Sequence, residues 1–247
     1  MDPQLQKENW VRCLRILDEF IVFCEKYGLN YQMAYGSCLG AIRHKGFIPW
    51  DRNLDTTMTL DDYLRFKKLC LEDNALPSSL AIADTNNGGD EGRQVLRIVL
   101  KDNIDKEKYY FPNLDVSVYC GLSNNPILRK LEVIEAYLNH KIYRLKNVST
   151  IKRPFPWNVI KAGLVLVPNS FLSWRFERIL RRHDLKKSNY VLNVETVYAK
   201  EIFKKEWIME NKVVSFENRR VNVPVNAHEY LTAIYGDYMT PVVFEKK

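Results

Sequence analysis

YGSCLGAIRHKGFIPWDRNLDTTM, residues 35–58, sets a Gly-Ser turn a short distance ahead of an acidic cluster. Gly36 can take the backbone angles of a tight turn, and Ser37 is a residue type that opens helices. The free N–H groups at such a helix start face an anion, so a nucleotide phosphate is expected to sit there. Asp51 and Asp55 lie four apart with Asn53 between them, and on an extended segment positions 51, 53 and 55 point to one side. Mg²⁺ favours oxygen ligands of this kind. An anion seat next to carboxylates points to phosphoryl chemistry.

Working outward, residues 4–27 place Leu5, Trp10, Leu14, Leu17, Phe20, Ile21 and Cys24 at helical spacing, and Tyr27-Gly28 ends the run. Asn30 to Tyr35 is expected to be a short strand and Ser37 to His44 a short helix stopped by Lys45-Gly46. Ile48 to Thr59 is the expected acid-bearing strand. A helix capped by Asp61-Asp62 follows, with Tyr63, Phe66, Leu69 and Cys70 on its apolar face. The stretch 84–92 reads as a turn-rich loop, and Gln94 to Leu100 and Asn113 to Tyr119 as strands. Beyond Gly121 the signals are mainly helical, over Ile127 to Leu138 and Phe171 to Leu185. Two short strands, Val213 to Phe216 and Arg220 to Val223, then precede a helix from Ala227 to Tyr235 closed by Gly236.

With 247 residues and 46% hydrophobic content the chain can bury one large core. Its longest apolar run, Ala162 to Pro168, is far short of the roughly 20 residues that cross a bilayer. The opening MDPQLQKENW is acidic and polar, unlike a secretory signal. Five cysteines (Cys13, Cys24, Cys38, Cys70, Cys120), widely spaced and without a C-x-x-C pair, argue against a disulfide framework or a zinc knuckle and for a reducing cytoplasm. The net charge of +7 concentrates in residues 174–187, where six Lys/Arg stand against two acids, and this fits either an anionic partner or a solvated helix face. No zinc finger, RNP-type motif or Gly-rich RNA loop is visible, so no nucleic-acid partner is expected.

Over Tyr35, Gly36, Ser37, Leu39, Gly40, Ala41, then Arg43 through Asp51, and Asp55, the chain resembles the LicD-like (phosphocholine transferase, fukutin-related) branch of the nucleotidyltransferase-fold superfamily. It departs from the family pattern at Asn53, where an acid is usual. FPNLDVSVY at 111–119 is similar to the family's later strand bearing a further acid, here Asp115, and VPVNAHEYLTAIYGDYM at 223–239 to its C-terminal Y-G-D-Y block.

The resemblance implies an α/β fold, a nucleotidyltransferase-like mixed sheet flanked by helices, with a core over 1–122. A mainly helical extension over 123–247 would follow, its YGDY segment packing back on the core. It implies Asp51, Asp55 and Asp115 as catalytic residues, with Asn53 joining them around Mg²⁺ or Mn²⁺, and Asp115 drawing the acceptor's proton. Gly36, Ser37, Arg43, His44 and Lys45 would bind the donor. The three basic residues read equally as a helix C-terminus satisfying its dipole. The implied reaction moves phosphocholine from CDP-choline, or another phospho-alcohol or phospho-sugar from a nucleotide donor, to a glycan or lipid-linked glycan acceptor of teichoic acid or lipopolysaccharide. The expected place is the cytoplasm, with peripheral contact at the inner membrane face. Asn53 leaves a different class open, a binding or scaffold protein whose metal chemistry is impaired.

Overall fold

The structure, a computed structural model, describes residues 3–83, 94–103, 112–147, 163–164, 166–194 and 201–241. The 84–92 stretch and residues 151–162 lie outside the described residues.

Its centre is β5 (Asn113–Leu122), ten residues that are all buried. The sequence NLDVSVYCGL is rich in β-branched and aromatic side chains, as a strand covered on both faces requires. β2 (Leu54–Thr59) runs parallel to it, Asp55 opposite Asp115 and Thr57 opposite Ser117. On the other flank two strands share its length. β4 (Leu96–Leu100) pairs antiparallel with its first half, Arg97 opposite Asp115, and β6 (Tyr190–Asn193) pairs antiparallel with its second half. β1 (Gln32–Met33) borders β2, β3 (Leu80–Ala83) borders β4, and β7 (Ile202–Lys204) borders β6. This is the expected mixed α/β sheet.

Because side chains alternate along a strand, the register gives the sheet two unlike faces. Leu54, Met58, Ile98, Leu114, Val116 and Val118 share one, each at most 1% exposed. That face packs against α1 (Pro3–Tyr27) and α3 (Leu60–Leu71). The other carries Asp55, Thr57, Arg97, Asp115, Ser117 and, from β6, Asn193. Here hydrogen bonds replace apolar contacts. Asn193 Nδ2 donates to Ser117 Oγ at 2.9 Å and to Thr57 Oγ1 at 3.3 Å, which answers the cost of burying these polar groups.

Several expectations shift. The helix after the first strand starts at Tyr35, not Ser37: α2 (Tyr35–Leu39) runs on into a π-helical turn, Gly40–His44, and stops at Lys45 in the left-handed region. The acid-bearing strand starts six residues later than Ile48, since Pro49 and Trp50 lie in a turn closed by Asp51 N–H donating to Ile48 O at 2.9 Å. Thr59, rather than Asp61 or Asp62, caps α3, its hydroxyl accepting from Asp62 N–H. β6 and β7 were not foreseen, because each is too short to show a period. They follow α4 (Pro126–Asn147) and α5 (Asn169–Leu180), the latter ending five residues before Leu185. After β7 come a short α6 (Lys205–Ile208), the hairpin β8 (Asn211–Phe216) and β9 (Arg219–Pro224), and α7 (Ala227–Tyr235).

The hairpin does structural work on the 35–58 block. Its tip, Glu217-Asn218, has positive φ at both residues, the turn geometry that suits strand twist. Glu217 Oε1 accepts from Phe47 N–H at 3.1 Å, and Glu217 N–H donates to Lys45 O at 2.9 Å. Gly46 must be Gly for this fit, since a Cβ there would lie 2.0 Å from Glu217 Oε1. Replacing Glu217 by Ala should cost about 1 kcal/mol, or a melting temperature lower by about 2–4 °C. Gly46→Ala should act through the same contact by displacing the carboxylate, so thermal denaturation of the double variant should show clear non-additivity.

Candidate active site

Asp55 sits at the first turn of β2 on the polar face, and its backbone N–H donates to Ser37 Oγ at 2.8 Å. Ser37 is 2% exposed. Its hydroxyl therefore does not cap a helix, as the sequence suggested, but ties the start of α2 to the acid-bearing strand. The turn itself falls one residue early. Tyr35, not Gly36, has the positive φ, of 44°, and its N–H is satisfied by the Tyr230 hydroxyl at 3.1 Å. Gly36 is needed for a different reason. A Cβ on it would stand 2.8 Å from Asp51 Oδ2, so only Gly lets the Asp51 carboxylate lie against the turn.

Asp51 reaches this place from a loop, not a strand, and α1 is what holds the loop. The stripe that buries Cys13, Ile16, Leu17 and Phe20 begins with two polar members, Gln6 and Asn9. Gln6 Nε2 donates to Asp51 O, and Trp10 Nε1 donates to the same oxygen at 2.9 Å. Asn9 Nδ2 donates to Arg52 O at 2.6 Å. Three side chains one turn apart thus fix the two peptide units beside the acid. Sequence reading placed Trp10 in an apolar stripe and passed over Gln6 and Asn9. Buried polar residues at the i, i+3 spacing of an apolar stripe were the available signal.

The Asp51 carboxyl accepts from Arg52 N–H at 3.1 Å. Burial pushes it up to about 6, against the pull of that bond. Asn53 Nδ2 donates to Asp55 Oδ1 at 3.0 Å, so the amide stands where a second acid would repel Asp55. Asp51 and Asp55 both raise the Tyr235 hydroxyl, after the larger effect of its burial. The last residue of α7, exposed overall and inside the C-terminal YGDY block, thus lies within electrostatic reach of both acids. Tyr235 had been noticed only as part of a signature.

Asp115 is brought beside Asp55 by the parallel register, but its carboxylate is engaged. Arg97 on β4 donates Nε–H to Oδ1 at 2.7 Å and Nη2–H to Oδ2 at 3.1 Å, a bidentate pair with Asp115 fully buried and Arg97 6% exposed. Among the described residues no group of three His, Cys, Asp or Glu side chains closes round one metal position. Asp51, Asn53 and Asp55 are a hard-oxygen donor set that suits Mg²⁺ in type. Asp115, with a guanidinium across both oxygens, does not join them as it stands.

Of the three basic candidates, Arg43 Nη1 donates to Tyr238 O at 2.5 Å and its Nε–H to His44 Nδ1 at 3.3 Å. Arg43 thus binds the π-helical turn to the YGDY segment. Desolvation, then Arg43, lowers the His44 pKa. Lys45 is exposed and stops the helix. Cys38 is fully buried and its thiol is pushed up to about 12, which removes it as a nucleophile.

The Arg97–Asp115 pair makes a stability prediction. Arg97→Met should destabilise the protein by about 3–5 kcal/mol in urea denaturation, because an unpaired carboxylate would remain in the central strand. Arg97→Met combined with Asp115→Leu should recover most of that loss, the sign that the cost is the stranded charge and not the missing contacts.

Residues 28–91 match the family described as LicD/FKTN/FKRP, nucleotidyltransferase domain. Over 249 aligned residues the chain is 28% identical to the lipopolysaccharide cholinephosphotransferase LicD of Haemophilus influenzae, across 94% of this chain and 91% of that protein. The matched segment contains the Gly36-Ser37 turn, Asp51, Asn53 and Asp55, the same groups that the fold draws together. Over this segment the chain is similar to a LicD-type nucleotidyltransferase domain.

Proposed function

We propose that this protein is a phosphotransferase that moves phosphocholine from CDP-choline to a hydroxyl of a cell-surface glycan precursor. The observation that carries the reading is the single site formed by Ser37, bonded to the Asp55 N–H, and Asp51, laid against Gly36. Its support in substrate class is the cholinephosphotransferase name of the Haemophilus relative.

In the proposed reaction an oxygen–phosphorus bond forms between the acceptor hydroxyl and the choline-bearing phosphorus. The bond from that phosphorus to the bridging oxygen breaks, and CMP leaves with that oxygen. Asp51, Asn53 and Asp55 would hold Mg²⁺ or Mn²⁺, which supplies charge neutralisation at the phosphates. The chain's own residues orient these donors: Ser37 fixes Asp55, and Gln6, Asn9 and Trp10 fix the Asp51 loop. The bare backbone at Gly36 lets Asp51 lie against the turn, and His44 and Lys45 are the donor's candidate basic contacts. Asp115, expected from sequence to take the acceptor's proton, has both oxygens in the Arg97 pair. That proton passes instead to a carboxylate outside the clamp, Asp51 or Asp55, both of which are half-buried. Arg97 adds a fixed positive charge one strand away from Asp115 and two from Asp55.

Asn53 favours a second reading, a fold kept for binding with its metal chemistry impaired, since an amide brings no charge to a cation. Isothermal titration with Mn²⁺ and assay of CMP release from CDP-choline separate the two. Asp55→Ala should lower CMP release about a hundredfold or more. Asn53→Asp should tighten Mn²⁺ about tenfold and raise turnover. Undiminished CMP release by Asp55→Ala would end the metal-site assignment. An Asn53→Asp protein that binds Mn²⁺ yet turns over neither CDP-choline nor other CDP-linked donors would establish the binding role.

A further inference from the structure

α4 carries apolar side chains on two opposite sides. One side turns Val133, Ala136, His140 and Tyr143 into the protein. At the helical spacing of 127, 131, 134 and 138 the other carries Ile127, Leu131, Ile134 and Leu138, which are 71%, 57%, 45% and 51% exposed. A surface helix of a water-soluble protein keeps its charges there. One that is apolar on two opposite sides is built to be covered on both. α5 lies alongside, joined to Glu135 through its Arg175 and through Arg182 just beyond its end, and it exposes Phe171 and Trp174, whose rings stack 5.8 Å apart. Two neighbouring helices thus each expose large apolar side chains, and exposed apolar surface of this kind marks an association surface.

Charge identifies what covers it. Each acid on the two helices is engaged: Glu132 by His183, Glu135 by Arg175 and Arg182, Glu177 by Lys67. Exposed basic residues border the stripe, Lys130 and Lys141 on α4 and Arg178 on α5. Lys141 Nζ stands 5.2 Å from the Tyr137 ring and the Arg178 guanidinium 5.5 Å from the Trp174 ring. A cation riding beside an amphipathic ring at each margin is an arrangement that suits a membrane–water boundary, where the ring meets headgroups and the charge meets lipid phosphate. A second copy of the chain would set these like charges against each other.

We propose that the α4–α5 face docks on the surface of an anionic lipid bilayer, with α4 lying in the interface. No helix among the described residues is long and apolar enough to cross a membrane, so the contact is peripheral. It is independent of what the Asp51–Asp55 site transfers.

The test is co-sedimentation of the full chain with phosphatidylcholine vesicles, with and without phosphatidylglycerol, alongside sedimentation velocity without lipid. The protein should pellet with the anionic vesicles and far less with phosphatidylcholine alone, and added salt should release it. Leu131→Glu with Leu138→Glu should lower partitioning about tenfold or more. Lys130→Glu with Lys141→Glu should lower it on anionic vesicles alone. Both double variants should keep the parent's circular dichroism and melting temperature. Failure to bind anionic vesicles, or equal binding by the Leu131/Leu138 variant, would overturn the proposal. A dimer in the absence of lipid that this variant dissolves would assign the face to a second copy instead.

Discussion

A carboxylate with no exposed surface, Asp115, stands near the start of the central strand, and it can exist there only because Arg97 faces it from the neighbouring strand. Isolated, that charge would cost many kcal/mol. Paired bidentately in correct register, it constrains which strand lies beside β5 and at what offset. A slip of β4 by one residue would turn Arg97 to the apolar face and leave both charges stranded. A second register, of β2 on β5, sets Asp55 against Asp115, so the candidate site lies one strand away from the buried pair.

The two faces of the sheet divide the remaining labour. The apolar face accepts α1 and α3 through close-packed rings, among them Phe20, Phe23 and Phe66. The polar face is satisfied by hydrogen bonds from side chains spaced far apart in sequence, as with Thr57, Ser117 and Asn193. It is closed by α2 and by the C-terminal helix, whose Tyr230 supports the strained backbone at Tyr35. α1 takes part in both jobs, since its apolar length packs on the sheet while its polar first turns hold the Asp51 loop. Changes at Gln6, Asn9 or Trp10 therefore act on the acid without touching it.

Much of this was legible beforehand where a period or a composition was strong. The long helices and the central strand were legible as elements. The reading went astray where a backbone group's partner decides the structure. Gly36 was taken for a turn residue, but what requires it is an aspartate fifteen positions later. Ser37 was taken for a cap, but its acceptor serves Asp55. Arg43 was read either as a phosphate contact or as a helix-end cation, and its link to the Tyr238 carbonyl could not be read from sequence. β6 and β7 are stabilised by the edge they complete and not by any local preference, so four and three residues carried no signal.

The sequence by itself determined the fold class, the presence of a turn-plus-carboxylate block and the departure at Asn53, because these depend on residue type and spacing along the chain. Only the tertiary structure decided that Asp51 comes from a clamped loop and that Asp115 is committed to Arg97. Those outcomes depend on strand register and on side chains that meet across distant segments. A carboxylate's role is set by whichever charge lies opposite it in space, and neighbours in sequence do not reveal that charge.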